Sequence, residues 1–296
     1  MDTLFTRRYG KFRYSSVEVI FEYALVVILP HREELPLEGK QRRVSYQKSE
    51  LLYVTITRIR RGSVMETRLR VLSYRVTSVE DTEDTLQSFA LEDILHRQAD
   101  ILCLQDLCSS SLWREKLSTA GFASLWRQRT QSKAYHCTGN LIAYRRSQFL
   151  LFRSEEIEFN SALECVRRKS SSGDDFARSV GELTSAEREF CVADEAALMA
   201  LLQPSSKDGS PRPSLCIACA AFDERLPSAC RDILTRYLLI KLEDFNGSYS
   251  LPVVMGMSLG DTSTSSAYHK LRSGEPLMSH GLPLKIQLPP VCSLIS

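Results

Sequence analysis

The stretch ADILCLQDL, Ala99 to Leu107, decides how the chain is read. It is apolar almost throughout and shows no alternation of apolar and polar residues. A strand of that kind has to be covered on both faces. LPVVMG, from Leu251 to Gly256, shares the property, and SLCIACAAF, from Ser214 to Phe222, reads as a further strand. Strands without a solvent face call for stacked layers.

The flanking segments supply the layers. Before the run, TRLRVLSYRV begins a strand at Thr67. EDTLQSFALEDILHRQ follows it, with Leu86, Phe89, Ala90, Ile94 and Leu95 at helical spacing. After it, WREKLSTAGF reads as a short helix closed by Gly121. GNLIAYRR, QFLLFRSEEIEF and EAALMALLQP read as strands, with SSKDGSPRP as a turn-rich connection after the third. CRDILTRYLLIKLEDF is a helix with Ile233, Leu234, Tyr237, Leu238 and Leu242 along one stripe. GLPLKIQL is the last predicted strand, and the polar residues around Ser170 to Gly173 form a loop. Strands outnumber helices, and strands separate each helix from the next. The pattern predicts an α+β, four-layer αββα sandwich: two facing sheets with helices outside each.

The N-terminal part reads differently. VEVIFEYALVVIL, RRVSYQ and LLYVTITRI are rich in β-branched and aromatic residues, and PHREELPLEGKQ connects them as a loop. The expected organisation is a basic arm or targeting segment at 1–16, a small β-rich extension at 17–66, and the sandwich at 67–296. In MDTLFTRRYGKFRYSS, aromatic residues alternate with Arg7, Arg8, Lys11 and Arg13. That composition suits a mitochondrial transit segment. It equally suits an arm lying along RNA or a partner protein. The expected location is mitochondrial, and otherwise cytoplasmic.

Composition narrows the function classes. Of 296 residues, 43% are hydrophobic and 25% charged, with a formal net charge of +2, so the chain as a whole is not a polycation. Nucleic-acid contact would have to come from local patches: Arg58, Arg60 and Arg61; Arg127 and Arg129; Arg167, Arg168 and Lys169. No apolar run approaches the roughly 18 residues of a membrane span. The nine cysteines are scattered and odd in number, which suggests free thiols in a reducing compartment. Cys216 and Cys219 form a CxxC within a strand-like run. Residues three apart on a strand face opposite ways, so a shared metal is not expected.

The order of these segments and their local strings resemble the endonuclease/exonuclease/phosphatase superfamily. The closest pattern is the branch of carbon-catabolite-repressor deadenylases, nocturnin, Angel proteins and two-prime phosphodiesterase. LRVLSYRV, ADILCLQDL, RTQSKAYHCTGNLIAYRRSQF, ADEAALMALL, CIACAAFDE and PVVMGMSLGDTSTSSAYHKL carry the resemblance, which runs from about Arg68 to Leu288. It implies metal-assisted phosphodiester cleavage, in which carboxylates hold Mg²⁺ in near-octahedral geometry and an acid activates water.

The residues that the resemblance requires are largely replaced. Arg75 stands where the first-strand Asn is expected, and Asp106 where the metal-binding Glu is. Glu195 replaces an Asn. Cys219 and Ala221 replace the Asn and His of A-N-T-H-L, and Ser258 and Gly260 replace the Asp and Asn of G-D-F-N. His280 and Gly281 replace the closing Asp-His pair. A slipped register would offer Asp261 instead of Ser258, but turn aspartates commonly bond their own backbone. His136, His269 and His280 share no spacing. Asp106 is the one weak metal candidate, and one carboxylate makes no Mg²⁺ site. Arg75 either pairs with Asp106 or turns to solvent. The expectation is a pseudoenzyme without cofactor or metal, a structural or RNA- and protein-binding subunit of a larger assembly. The alternative is a residual metal-dependent phosphodiesterase or RNA deadenylase.

Overall fold

The structure, a computed structural model, describes residues 3–14, 17–28, 31–33, 46–48, 50–60, 63–76, 83–108, 110–129, 138–160, 195–205, 214–223, 226–249 and 251–258. Side chains are described from residue 69 onward within these ranges, except at 83–89, 110 and 248. The predicted strand GLPLKIQL and the loop near Ser170 lie outside the described residues, as do Arg61, His136, Arg167, Arg168, Lys169, Gly260, Asp261, His269, His280 and Gly281.

The elements run β1 (Thr3–Tyr14), β2 (Val17–Ile28), β3 (His31–Glu33), β4 (Tyr46–Lys48), β5 (Glu50–Arg60), β6 (Ser63–Arg75), α1 (Glu83–His96), β7 (Ile101–Leu107) and α2 (Ser110–Thr119). They continue with β8 (Phe122–Gln128), β9 (Gly139–Arg145), β10 (Phe149–Glu158), β11 (Ala196–Pro204), β12 (Leu215–Ala221), α3 (Ser228–Asn246) and β13 (Val253–Ser258). Six strands form one sheet in the order β1-β2-β13-β12-β11-β10, and five form the other in the order β5-β6-β7-β9-β8. β3 and β4 pair separately.

Side-chain parity sorts the core into three layers. Odd residues of β7 (Ile101, Cys103) and even residues of β9 (Ile142, Tyr144) point inward between the sheets. There they meet Leu198, Ala200, Ile217, Cys219 and Val254 from the facing sheet. The alternate residues of β7 and β9, Leu102, Leu104, Leu141 and Ala143, pack outward under α1 and α2 with Ile94, Trp113 and Leu117. On the far side Met199, Cys216, Ala218 and Met255 pack under Leu234, Leu238, Leu242 and Phe245 of α3. The α+β sandwich of helix, sheet, sheet and helix is therefore what the doubly buried runs build. Cys216 lies under α3 and Cys219 between the sheets, on opposite faces of β12.

Some boundaries differ from the sequence reading. α2 begins at Ser110 and ends at Thr119; Gly121, at φ +86°, turns the chain back. The segment after it, Phe122–Gln128, is a strand that the sequence does not announce. β8 is an edge strand whose residues are mostly half-buried, so it lacks both an apolar run and a clean alternation. The N-terminal strands add to the two sheets: β2 pairs with β13, and β5 with β6. β13 reaches β2 only at Leu25–Ile28, and β7 reaches β6 only at Val71–Arg75. The rest of each hairpin runs on past its neighbour, at the end of the sandwich opposite the C-terminal ends of β6, β7 and β13. β2 and β5 also approach each other.

Candidate functional site

The C-terminal ends of the parallel strands β6, β7, β12 and β13 meet at one end of the inter-sheet layer. β7 is broken there by a bulge. Its register against β9 shifts between Leu104 and Leu107, and Asp106 has φ +57°. Aspartate is one of the few side chains that enter the left-handed region readily. Gln105 keeps the inward direction of Ile101 and Cys103. Its Nε2 donates to Ser73 Oγ at 3.1 Å, to the Cys103 carbonyl at 2.9 Å and to Cys219 Sγ at 3.6 Å.

Asp106 sits between two guanidinium groups. Arg75 Nε donates to Oδ2 at 2.5 Å, and Arg129 Nη2 donates to Oδ1 at 2.6 Å. Arg75 thus pairs with Asp106 and does not turn to solvent; only 7% of its surface is exposed. Its Nη1 reaches across the layer to Ser258 Oγ at 3.0 Å and ties β6 to β13. Arg129 also lies 3.5 Å from Glu195 Oε2 on the facing sheet. Glu195 Oε1 accepts from the Asp223 backbone N–H at 2.8 Å. Burial raises the Asp106 carboxyl, but Arg75 and Arg129 outweigh it and hold the group below its ordinary value. Glu195 behaves oppositely: burial pushes it up to about 7, against the partial opposition of Arg129 and the Asp223 N–H. Arg129 is closer to Asp106 than to Glu195, and 3.5 Å gives a weaker hold than a direct hydrogen bond.

Arg75, Asp106, Glu195 and Ser258 are thus brought together, while Cys219 and Ala221 are buried just beneath, with Cys219 Sγ donating to the Leu104 carbonyl at 3.4 Å. Two residues of the cluster receive no role in the sequence reading: Arg129 opens RTQSKAYHCTGNLIAYRRSQF and reads as part of a surface patch, and Asp223 lies in CIACAAFDE at no position the resemblance assigns. Arg127, two residues before Arg129, is engaged as well: Nη1 donates to Glu156 Oε2 at 2.7 Å, and Nη2 to Glu158. Arg7, Arg8, Lys11 and Arg13 lie on β1, and Arg58 and Arg60 on β5, in the hairpins at the opposite end.

The Mg²⁺ that this fold implies does not fit the described residues. A cation needs free carboxylate oxygens. Both oxygens of Asp106 accept from arginines, and burial raises Glu195 to about 7. Among the described residues no three His, Cys, Asp or Glu side chains are grouped to hold a metal. No described helix is long and apolar enough to cross a membrane.

No protein-family model and no curated protein matches the chain. Solved structures do. The human nocturnin catalytic domain with bound sulfate superposes with a TM-score of 0.51 at 18% identity, covering 68% of this chain and 67% of that one. ANGEL2, a 2',3'-cyclic phosphatase, in complex with adenosine-2',3'-vanadate gives 0.50 at 20% identity, covering 77% of this chain and 60% of that one. The chain therefore spans about two thirds of the first and less of the second. Its two facing sheets with helical outer layers are those of the endonuclease/exonuclease/phosphatase fold, and that is the fold of this chain.

Proposed function

We propose that the chain is a catalytically inactive protein of this fold, serving as a structural or RNA- and protein-binding subunit of a larger ribonucleoprotein assembly. One observation carries the reading. The single carboxylate that stands at a family metal position, Asp106, is held on both oxygens by Arg75 and Arg129. Fixed positive charge where a cation would bind repels it, and the ion pair closes the strand ends into a structural tie. The basic residues not matched to the cleft support the binding role. Arg7, Arg8, Lys11, Arg13, Arg58 and Arg60 sit on hairpins away from the cleft, interleaved with Tyr9, Phe12 and Tyr14. Such interleaving suits RNA, where aromatic rings stack on bases and cations neutralise phosphate. A mitochondrial assembly accords with the composition of residues 1–16.

The competing reading, a residual phosphodiesterase or RNA deadenylase, draws on Asp106, Glu195 and Asp223 lying within electrostatic reach of one another. Arg129 stands among them, which weighs against it. Affinity purification of the full chain from its source tests the binding role. Co-sedimentation with a large particle that shrinks on ribonuclease treatment is expected. Replacing Arg7, Arg8, Lys11 and Arg13 with Gln should weaken association most at low salt and flatten its salt dependence. Sedimentation as a free protein, with no RNA recovered, would remove the proposal.

A further inference from the structure

The sheet that carries α3 ends at β10, whose outer edge has no strand beside it among the described residues. Leu150, Leu151, Phe152 and Tyr249 are 55%, 37%, 50% and 44% exposed, and they are the large exposed apolar side chains among the described residues. All four gather at this one edge. Phe152 meets Tyr249 edge-to-face at 5.6 Å, and the Arg153 guanidinium lies 4.9 Å over the Phe245 ring. An edge unpaired among the described residues, next to clustered apolar side chains, is an association surface that natural sheets otherwise blunt.

The charges along the edge indicate its occupant. Arg153 and Glu155 share one face of β10 and flank Ser154, pairing with each other at 3.3 Å on the exposed surface. We propose that β10 pairs antiparallel with β10 of a second copy of this chain about a two-fold axis at Ser154. In that register Arg153 of each copy lies opposite Glu155 of the other, so two exposed intramolecular pairs become two cross-strand pairs. Phe152 is already skipped in the ladder with β11, where Leu151 and Arg153 pair with consecutive residues. Skipping it again brings Leu150 opposite Ile157 of the second copy, apolar against apolar. The two six-stranded sheets become one continuous sheet. A single strand pair with a small apolar margin buries less than a standard interface of roughly 1,600 Å², so the dimer is weak and concentration-dependent.

Sedimentation velocity on the full chain tests this, up to about 100 µM, where weak complexes are populated. A monomer–dimer equilibrium is expected. Arg153→Glu and Glu155→Arg each set like charges opposite one another and should each weaken self-association by about 10-fold. Mixing the two variants restores opposite charges at both pairs, and a heterodimer should form as readily as the unsubstituted dimer. That recovery also shows that both variants are folded. A monomer throughout the range, or a dimer that ignores both substitutions, overturns the proposal.

Discussion

The middle and the end of the inter-sheet layer are built from the same strands, and they are held in opposite ways. In the middle the sheets touch through small neutral groups. A Cβ on Gly256 would stand 2.3 Å from Cys103 Cβ and 3.1 Å from Ser73 Oγ, so β13 crosses β6 and β7 there with no side chain of its own. Two residues further along β13, Ser258 meets Arg75, and charged groups take over from packing. The scaffold needs only close approach. The end of the layer needs a set of charges that satisfy one another, since an unpaired buried charge is costly. The layer is therefore held by packing in its middle and by charge at its strand ends.

The largest expected effect lies in the middle. Gly256→Val forces a branched side chain into the Cys103 contact and should cost about 3 kcal/mol or more in denaturant unfolding, because overpacked cores cannot relax fully. A cost below about 1 kcal/mol would mean that the sheets part easily there. At the other end Arg75→Met leaves Asp106 with one partner and should cost about 3 kcal/mol. Adding Asp106→Asn, which tolerates the same left-handed backbone, should recover part of that loss, because the carboxylate left short of a partner is gone, while Arg129 gives up its carboxylate contact at 2.6 Å. If the double variant is no more stable than the single, the pair is not the tie described here.

Most of the fold is legible in the sequence because its signals are local. ADILCLQDL and LPVVMG announce doubly covered strands, SLCIACAAF announces a further strand, and the helical stripe of α3 is periodic. β8 is not legible, since a half-buried edge strand has neither run nor alternation. The charged cluster is legible only in part. Arg75 and Asp106 stand at positions the sequence resemblance picks out, so their meeting can be posed as a question beforehand. Arg129 follows the end of β8 and reaches Asp106 through the tertiary fold, and its short-range context, Arg127-Gln128-Arg129, looks like a solvated patch.

Acidity divides the cluster further. Glu195 has its folded value raised from 4.5 to about 7, chiefly by burial, so the native state holds its proton longer than the unfolded chain. Its contribution favours folding at low pH and fades as pH rises from about 4.5 to about 7. Asp106 is lowered below 3.8, so its contribution is present above that value and is lost as pH falls through the folded value. Glu195→Gln should therefore flatten the stability profile between about pH 4.5 and 7 and gain on the order of 2 kcal/mol at pH 8. An unchanged slope would show that Glu195 is ionised in the native protein. The smallest effect belongs to Arg127, whose partners Glu156 and Glu158 are largely exposed. Arg127→Gln should change stability by less than about 1 kcal/mol, and less still in high salt.

The central claim is that ion pairing has replaced metal chemistry at the strand ends. Turnover of oligoadenylate, two-prime-linked dinucleotide and 2',3'-cyclic phosphate substrates by the purified full chain, with Mg²⁺ or Mn²⁺, tests it most directly. The account predicts product no faster than in buffer with metal alone, for the chain and for Asp106→Ala alike. Metal-dependent turnover by the chain that disappears in Asp106→Ala would contradict it.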